Sequence, residues 1–321
     1  MGRIYVTGAA GFIGTNLMRE LDKRGAGPLI AVDQSEPGDK AVNLSVQNYE
    51  QYLDLDSFRD LLRQGELAED TEAILHMGAC SSTTETDRDY LRDNNFLYTK
   101  ELADACLEKN IRFIYASSAA TYGDGSLGFS DDLDLVPRLE PLNPYGRSKQ
   151  DFDLHALREG LFDRIVGLKY FNVYGPREDH KGEMRSVVHK AHGQILEKGR
   201  LGLFRSYRPE YGDGEQKRDF IYVKDAVDMT LFFLDHPEIG GLFNCGSGKS
   251  RSWLDLAHAV FAAMGRDPLI DFIEMPEEIR ERYQYFTEAD MGKLHRAGYE
   301  NTLFSLEEGI LDYVRGYLAR D

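Results

Sequence analysis

The fold of this chain of 321 residues is decided by residues 4–14, IYVTGAAGFIG. An apolar strand, Ile4–Thr7, runs into glycines at positions 8, 11 and 14, and an amphipathic pattern over Ile13–Arg24 predicts a helix directly afterwards. Glycine tolerates positive φ and has no Cβ, so a pyrophosphate can approach the N-terminus of the helix. We therefore predict a dinucleotide-binding loop at Gly8, Gly11 and Gly14.

The rest of the first half repeats this alternation of strand and helix. Strands that alternate with helices form right-handed crossovers and a parallel sheet, and continuous apolar strands indicate helices on both faces. The predicted strands are Leu29–Val32, Ala73–Met77, Phe113–Ser117 and Ile165–Tyr170, and the predicted helices are Asp56–Gln64, Asn94–Lys109 and Tyr145–Glu159.

Beyond Asn172 the pattern becomes less regular. We predict polar loops at Tyr174–Gly182 and Arg205–Arg218, helices at Met184–Glu197 and Ala226–Leu234, and strands at Asp219–Val223 and Leu242–Asn244. The expected fold is α/β, a Rossmann-type doubly wound parallel sheet with a smaller C-terminal substrate-binding lobe. The nucleotide domain would comprise residues 1–171 plus about 219–246, and the lobe residues 172–218 plus 247–321.

Composition excludes several classes of protein. With 38 Lys or Arg against 55 Asp or Glu, the formal net charge is −17, which argues against binding nucleic acid by neutralising phosphates. No apolar run approaches the ~18 residues of a membrane span. The three cysteines lie far apart without a CxxC pair, so neither disulfides nor a metal site is indicated. We expect a cytoplasmic protein with no nucleic-acid or membrane partner.

A tyrosine and a lysine stand four residues apart at the start of the predicted helix Tyr145–Glu159. Tyr145 and Lys149 share one helical face, and a nearby ammonium together with an oxidised nicotinamide would lower the pKa of the phenol toward neutral pH. Ser117 and Ser118 end a predicted strand at the edge of the sheet where open α/β sheets bind ligands. These residues predict an acid/base site.

Two residues after the second predicted strand bear on cofactor choice. Asp33 lies near the distance from the glycine loop at which a carboxylate binds an adenosine ribose, and Lys40 is placed to meet a 2′-phosphate. Each also has an ordinary explanation, Asp33 as a polar residue at a strand end and Lys40 as a surface lysine.

Together, the glycine loop, Ser118 and the Tyr145xxxLys149 pair resemble the extended short-chain dehydrogenase/reductase superfamily. Within it the chain is similar, nearly from end to end, to the ADP-glycero-manno-heptose 6-epimerase family. The segments that carry this similarity are HMGACSSTT at 76–84, ASSAATYG at 116–123, YFNVYGPRE at 170–178, HKG at 180–182, KRDF at 217–220 and RYQ at 282–284.

The resemblance implies an NADP-dependent enzyme, with NAD possible, that inverts C6 of the heptose in an ADP-linked sugar, a precursor of the lipopolysaccharide core. It also implies a homo-oligomer. Tyr145 and Lys181 match the acid/base residues, and Ser118 and Lys149 complete the catalytic group. Cofactor positions map to Gly8, Gly11, Phe12, Ile13, Gly14, Asp33, Gln34, Lys40, Met77, Gly78, Ala79, Asn94, Lys149 and Val173, and substrate positions to Ser81, Asn172, Glu183, Lys190, Phe204, Arg218 and Tyr283.

The sequence departs from the family pattern at a few positions. Leu55 replaces a second lysine for the 2′-phosphate, which weakens the preference for NADP, and Glu183 and Lys190 replace a serine and a histidine of the sugar site. The rival functions are a 4,6-dehydratase, which would need an Asp-Glu pair where Ala119-Ala120 stands, another nucleotide-sugar epimerase such as a UDP-hexose 4-epimerase, a reductase, or a non-catalytic NADP-binding sensor or scaffold.

Overall fold

A computed structural model describes residues 2–34, 38–280 and 283–319 of the protein. Its centre is a parallel sheet of seven strands in the order β10-β6-β5-β4-β1-β2-β3. These strands are β1 (Arg3–Thr7), β2 (Leu29–Asp33), β3 (Gln51–Asp54), β4 (Thr71–His76), β5 (Arg112–Ser118), β6 (Ile165–Tyr170) and β10 (Gly241–Cys245).

Five shorter strands form two smaller sheets in the second half. One sheet has the order β11-β9-β7, with β9 antiparallel to β11 and parallel to β7, and the other pairs β12 with β8 in parallel. Their bounds are β7 (Asn172–Tyr174), β8 (Leu201–Phe204), β9 (Lys217–Tyr222), β11 (Ser250–Ser252) and β12 (Ile270–Ile273).

Helices cover both faces of the central sheet. They are α1 (Phe12–Lys23), α2 (Ala41–Ser45), α3 (Leu55–Gln64), α4 (Arg88–Leu91), α5 (Tyr98–Lys109), α6 (Pro144–Arg158), α7 (Val187–Lys198), α8 (Val223–Asp235), α9 (Trp253–Ala263), α10 (Glu277–Arg280), α11 (Gly292–Arg296) and α12 (Leu306–Tyr313). Residues 92–97 and 314–318 are π-helical, and short 3-10 turns span residues 38–40, 119–122, 133–138, 161–163 and 179–184.

The core divides into two apolar clusters, one on each face of the sheet. Along β1, Ile4 and Val6 pack with the cluster that includes α1 and α8, while Tyr5 points to the other side and stacks on Phe58 of α3 at 5.2 Å. This alternation follows from the two-residue period of a strand. Both faces are therefore apolar, which explains the continuous apolar runs in the sequence.

The predicted doubly wound parallel sheet is confirmed. Strand Ile165–Tyr170 has the predicted bounds, and the other predicted strands of the first half lie within two residues of the observed ones. The assignment of residues 1–171 plus about 219–246, and of 172–218 plus 247–321, to separate units stays a prediction.

Several predicted elements differ in detail. Helix Asn94–Lys109 is divided, because residues 92–97 are wound as a π-helix before α5 begins at Tyr98. The helix predicted at Met184–Glu197 begins at Val187, because residues 179–184 of the preceding segment form a 3-10 turn and the Ser186 side chain caps the helix. The predicted loop Tyr174–Gly182 overlaps that turn, and β9 begins at Lys217, inside the predicted loop Arg205–Arg218.

Within residues 2–34, 38–280 and 283–319, no helix combines the length and apolar composition that crossing a membrane requires.

Candidate active site

A long cleft follows the carboxyl edge of the central sheet, where the ends of β1, β4, β5 and β6 meet. It consists of three neighbouring cavities with volumes of about 370, 340 and 590 Å³, which we call the loop cavity, the middle cavity and the far cavity. Phe12 and Lys181 line both the loop and the middle cavity, and Ser118 and Tyr145 line both the middle and the far cavity. Because lining residues are shared, the three cavities are parts of one site.

The glycine loop shapes the loop cavity. Gly8 has φ of +67°, and the Gly11 N–H donates to the Gly8 carbonyl at 2.8 Å, which closes a tight turn before α1. A Cβ on Gly14 would lie 2.0 Å from the Gly8 oxygen, so this position requires glycine for the loop to approach the helix. No side chain of the described residues caps the N-terminus of α1. The first-turn N–H groups are therefore free for an anion.

Asp33 organises the same loop from the end of β2. Its buried carboxylate accepts hydrogen bonds from the N–H of Ala10 at 2.9 Å and of Gln34 at 2.8 Å, and the Lys40 ammonium lies 3.2 Å from it. Asp33, Gln34 and Lys40 all line the loop cavity, as does Leu55. The structure thus gives Asp33 a role that its position in the sequence did not reveal, since one of its oxygens holds the glycine loop in place.

Helix α6 carries the predicted acid/base pair. Pro144 begins the helix and the Asn143 side chain caps it, accepting from the Gly146 N–H at 2.8 Å. Tyr145 is half-buried and faces both Ser118 and the middle cavity, and Lys149 is buried one turn further on. Ser117, Ser118, Tyr145 and Lys149 are thus brought together at the predicted edge of the sheet.

Burial dominates the electrostatics of this pair. It raises the pKa of the Tyr145 phenol above its ordinary value, and the neighbouring Ser118 hydroxyl lowers this pKa by a smaller amount. Burial also lowers the pKa of Lys149 to about 8, with Asp153 opposing the change. We expected Lys149 and the nicotinamide to lower the pKa of Tyr145. In the protein without its cofactor, Lys149 does not counteract the effect of burial on the pKa of Tyr145. The expected lowering of this pKa therefore depends on the bound cofactor and stays a prediction.

Lys181 lies on the 3-10 turn Asp179–Met184, between β7 and α7, and lines the cleft from there. Its Nζ lies over the ring of Phe12 at 5.2 Å from the centroid, and burial lowers the pKa of this lysine while Glu178 opposes the change. Lys181 lines the middle cavity together with Tyr145. The predicted acid/base residues therefore border one cavity from two separate elements.

The far cavity contains three of the predicted substrate contacts. Asn172, Arg218 and Tyr283 line it, and the buried Arg218 guanidinium lies between Trp253 at 5.6 Å and Tyr283 at 5.1 Å from the ring centroids. A cation held between aromatic faces stays oriented without a carboxylate partner. Arg282, in the predicted segment RYQ, lies outside the described residues.

Most other predicted contacts lie where expected, and three do not. Met77, Gly78, Ala79, Ser81 and Asn94 line the loop cavity, and Val173 lines the middle cavity. Glu183, Lys190 and Phe204 are not among the described residues that line these cavities. The side chain of Glu183 is 98% exposed and pairs with Lys190, and Phe204 packs edge-on against Tyr283.

Sequence analysis missed polar residues that hold the site from behind. Asn95, buried in the π-helix, accepts from the Cys80 N–H at 2.9 Å and donates to the Cys80 carbonyl at 3.0 Å and to Ser148 Oγ at 2.9 Å. His76 lies between the hydroxyls of Thr7 and Thr99 at 2.6 and 2.9 Å. His76 could be noticed as a polar residue within the apolar run Ala73–Met77, whereas Asn95 follows other polar residues and gives no such signal.

Comparison with known proteins identifies the family. Residues 4–246 match the NAD dependent epimerase/dehydratase family. The chain belongs to this family. Similar members include the ADP-L-glycero-D-manno-heptose-6-epimerases of Nitratidesulfovibrio vulgaris, 53% identical over 98% of this chain and 97% of that protein, and of Fusobacterium nucleatum, 46% identical over 99% and 98%. The crystal structure of the Helicobacter pylori ADP-L-glycero-D-manno-heptose-6-epimerase has a TM-score of 0.83 at 26% identity, covering 99% and 96%.

Membership of the NAD dependent epimerase/dehydratase family agrees with the predicted nicotinamide cofactor. The site fits such a group, because the uncapped start of α1 opens into the loop cavity and Gly14 admits no Cβ. The middle cavity, with Tyr145 and Lys149, adjoins it.

Proposed function

We propose that this protein inverts C6 of the heptose in ADP-glycero-manno-heptose, from the D-glycero to the L-glycero form, by transient oxidation with tightly bound NADP. The observation that carries the proposal is that Tyr145 and Lys181, from separate elements, line one cavity between the glycine loop and the far cavity. Relatives that match nearly the full chain at 46–53% identity bear the name of this activity.

The chemistry requires oxidation because the hydrogen on a secondary alcohol carbon is not acidic. The glycine loop, Asn94, Lys149 and Val173 would hold a nicotinamide cofactor, which would supply a hydride acceptor and donor so that no net redox change occurs. The alcohol carbon becomes a planar ketone, and hydride returned to its other face gives the epimer. The protein must then provide a base for the oxidation and an acid for the reduction.

Tyr145 serves as one of these groups. Its phenol faces the Ser118 hydroxyl, which can orient the reacting oxygen of the sugar. Burial alone raises the pKa of Tyr145, so Tyr145 becomes a base near neutral pH only when positive charge faces it. Lys149 and the oxidised cofactor, when it is bound, would supply that charge.

Lys181 serves as the second group. C6 lies outside the pyranose ring, so rotation about the C5–C6 bond exposes either face, and two acid/base groups on different elements suit this motion. Burial lowers the pKa of Lys181, which favours the exchange of its proton. In the far cavity, Arg218 and Tyr283 would bind the ADP portion, leaving the heptose between Tyr145 and Lys181.

NADP is favoured over NAD because Lys40 lines the loop cavity beside Asp33 and Gln34. The ion pair with Asp33 fixes the lysine at the position proposed for the 2′-phosphate. Leu55 lines the same cavity without a charge, so the preference rests on Lys40. A role in making the lipopolysaccharide core precursor, a homo-oligomeric state and a cytoplasmic location accompany this proposal as predictions.

Two measurements on purified protein test the function. The protein is denatured and the released nucleotide identified, and native protein is incubated with ADP-D-glycero-D-manno-heptose without added reductant while proton NMR follows the C6 signal. We expect released NADP and interconversion of the two epimers. Failure to interconvert them, even with NADP or NAD added, together with turnover of UDP-hexoses at C4, would replace this proposal with the rival epimerase.

A further inference from the structure

A buried carboxylate continues the row of catalytic side chains on α6. Asp153 follows Tyr145 and Lys149 at steps of four residues, so all three lie on one helical face. The Asp153 side chain is 0% exposed, and its Oδ2 lies 2.9 Å from Nζ of Lys169 on β6, which is 1% exposed.

The carboxylate also joins α6 to the catalytic end of β5. The Tyr115 hydroxyl donates to Oδ1 of Asp153 at 2.7 Å, and the Ser117 hydroxyl donates to Oδ2 at 2.7 Å. Lys169 in turn donates to Thr121 Oγ1 at 2.6 Å, in the turn that follows β5. Ser117 directly precedes Ser118, which faces Tyr145. Asp153 thus links the strand end that carries Ser118 to the helix that carries Tyr145 and Lys149.

We propose that Asp153 is a positioning residue for the reaction, whose buried carboxylate keeps Lys149 in its ammonium form and fixes the end of β5 against α6. The inference rests on the proposed function in taking Lys149 as part of the catalytic group. The charged groups then follow one another in the order Lys149 (positive), Asp153 (negative) and Lys169 (positive).

The charged and titratable groups around Lys149 support this arrangement. Burial lowers the pKa of Lys149 to about 8, and Asp153 is the largest influence that opposes burial, followed by the Cys80 thiol. On the β4 side lies His76, whose pKa burial and Lys149 both hold well below its usual range, so His76 stays neutral. Tyr145 and Lys181 face the same cavity as Lys149. Among these groups, Asp153 is the carboxylate that favours the ammonium.

A carboxylate that keeps Lys149 charged differs from a purely structural ion pair in one measurable property. A pair that only held α6 against β6 would change the stability of the protein and leave the titration of Lys149 where it is. A carboxylate that keeps Lys149 charged must move that titration when it is removed. Because the carboxylate stabilises the ammonium, its loss lowers the pKa of Lys149.

The test measures this titration directly, without substrate. Purified protein is labelled with ¹³C at lysine Cε, the Lys149 resonance is assigned from the spectrum of Lys149→Arg, and its pH midpoint is compared among variants. In Asp153→Asn we expect the midpoint to fall by about one pH unit or more, the effect expected for removal of a nearby opposite charge. The alkaline limb of the kcat profile should move in the same direction.

Further variants separate this effect from a loss of folding. Asp153→Asn leaves Lys169 buried without its partner, so the double variant Asp153→Asn, Lys169→Met removes the whole pair. Its midpoint should also fall, but by less, because losing the Lys169 ammonium removes a like charge that disfavours the ammonium of Lys149. Asp153→Glu should restore a midpoint close to that of the parent protein. Glu101→Gln, which breaks the half-buried ion pair with Arg59 on α3, is the control for lost stability and should leave the midpoint unchanged.

An unchanged midpoint in folded Asp153→Asn, or a midpoint that does not fall in the folded double variant, would overturn the proposal and reduce Asp153 to a structural role. Absence of epimerase activity in the parent protein would instead contradict the proposed function. The lysine titration would still decide the role of Asp153.

Discussion

Tyr145 and Lys181 line the same cavity, although one projects from α6 and the other from the 3-10 turn that follows Pro176 and Glu178. Tyr145 also borders the far cavity, whereas Lys181 also borders the loop cavity and lies over Phe12. The two residues therefore approach a bound sugar from different parts of the cleft. This arrangement suits the proposed reaction, in which one group takes the hydroxyl proton during oxidation and the other returns a proton to the ketone oxygen after the sugar has rotated.

Removing either acid/base group should slow the chemical step. Tyr145→Phe and Lys181→Met should each lower kcat by ~10²–10⁴, the usual loss for a general acid or base, while the cofactor stays bound. Steady-state kinetics with ADP-heptose and measurement of the released cofactor provide the check. Lys198→Met, at the exposed end of α7, is the matched lysine control and should leave both parameters unchanged. A Lys181→Met variant with raised KM and nearly intact kcat would make Lys181 a substrate-binding cation only.

Lys40 should determine the preference for NADP. Lys40→Ala removes a charge-assisted contact of about 1.5–3 kcal/mol, roughly a ten- to a hundred-fold loss in NADP affinity, and leaves the Asp33 carboxylate to repel the 2′-phosphate. Affinity for NAD should stay the same, as measured by titration of protein freed of its cofactor. Lys23→Ala, on the exposed last turn of α1, is the control. Equal binding of NADP by Lys40→Ala and the parent protein would show that this lysine does not meet the phosphate.

The glycine loop predicts a sharp contrast between two substitutions of the same kind. Gly14→Ala places a Cβ 2.0 Å from the Gly8 oxygen, so the loop must shift and the protein should be purified with little or no cofactor. Gly193→Ala, on the exposed face of α7, meets nothing within 4 Å and should be neutral or stabilising by up to about 1 kcal/mol. Cofactor content and thermal unfolding distinguish them, and full cofactor content in Gly14→Ala would refute the loop assignment.

A carboxylate far from the cleft should make stability depend on pH. Burial raises the pKa of Asp225 to about 7, and nearby Asp228 and Glu308 add to the effect. The folded protein therefore binds a proton that the unfolded chain releases near pH 4, so stability falls as pH rises from about 4 through 7. Asp225→Asn keeps an acceptor for the Phe304 N–H and should flatten this dependence, raising Tm at pH 8 by about 1.5 °C for each 1 kcal/mol regained. Parallel Tm curves for the two proteins between pH 5 and 8 would contradict this explanation.

The central sheet was predictable because its strands are buried on both faces. Runs such as Ile165–Tyr170 are apolar without interruption, and helices separate them at regular intervals. The strands that were missed lack this signal. Gln51–Asp54 forms the edge of the sheet with no fully buried residue, and Ser250–Ser252 is three residues long and polar. Such strands are stabilised by their neighbours, and their own composition does not indicate them.

The site was predictable where chemistry is concentrated in a short motif. The glycine loop and the Tyr145–Lys149 pair could be recognised by their spacing together with their placement after predicted strands, and the family resemblance supplied Lys181, Arg218 and Tyr283. Buried polar supports such as Asn95 and Asp153 could not be predicted, because their partners lie on β5, β6 and the segment after β4, distant in sequence. Only the folded chain brings those groups within hydrogen-bonding distance.

The most direct test of C6 epimerisation by transient oxidation is the reaction in heavy water. ADP-D-glycero-D-manno-heptose is brought to equilibrium with the purified protein in D₂O, and the product is analysed by NMR and mass spectrometry. We expect the L-glycero epimer with protium retained at C6, because the hydride leaves and returns without exchanging with solvent. An epimer with substantial deuterium at C6 would contradict the account, since inversion would then proceed by removal of a proton from carbon.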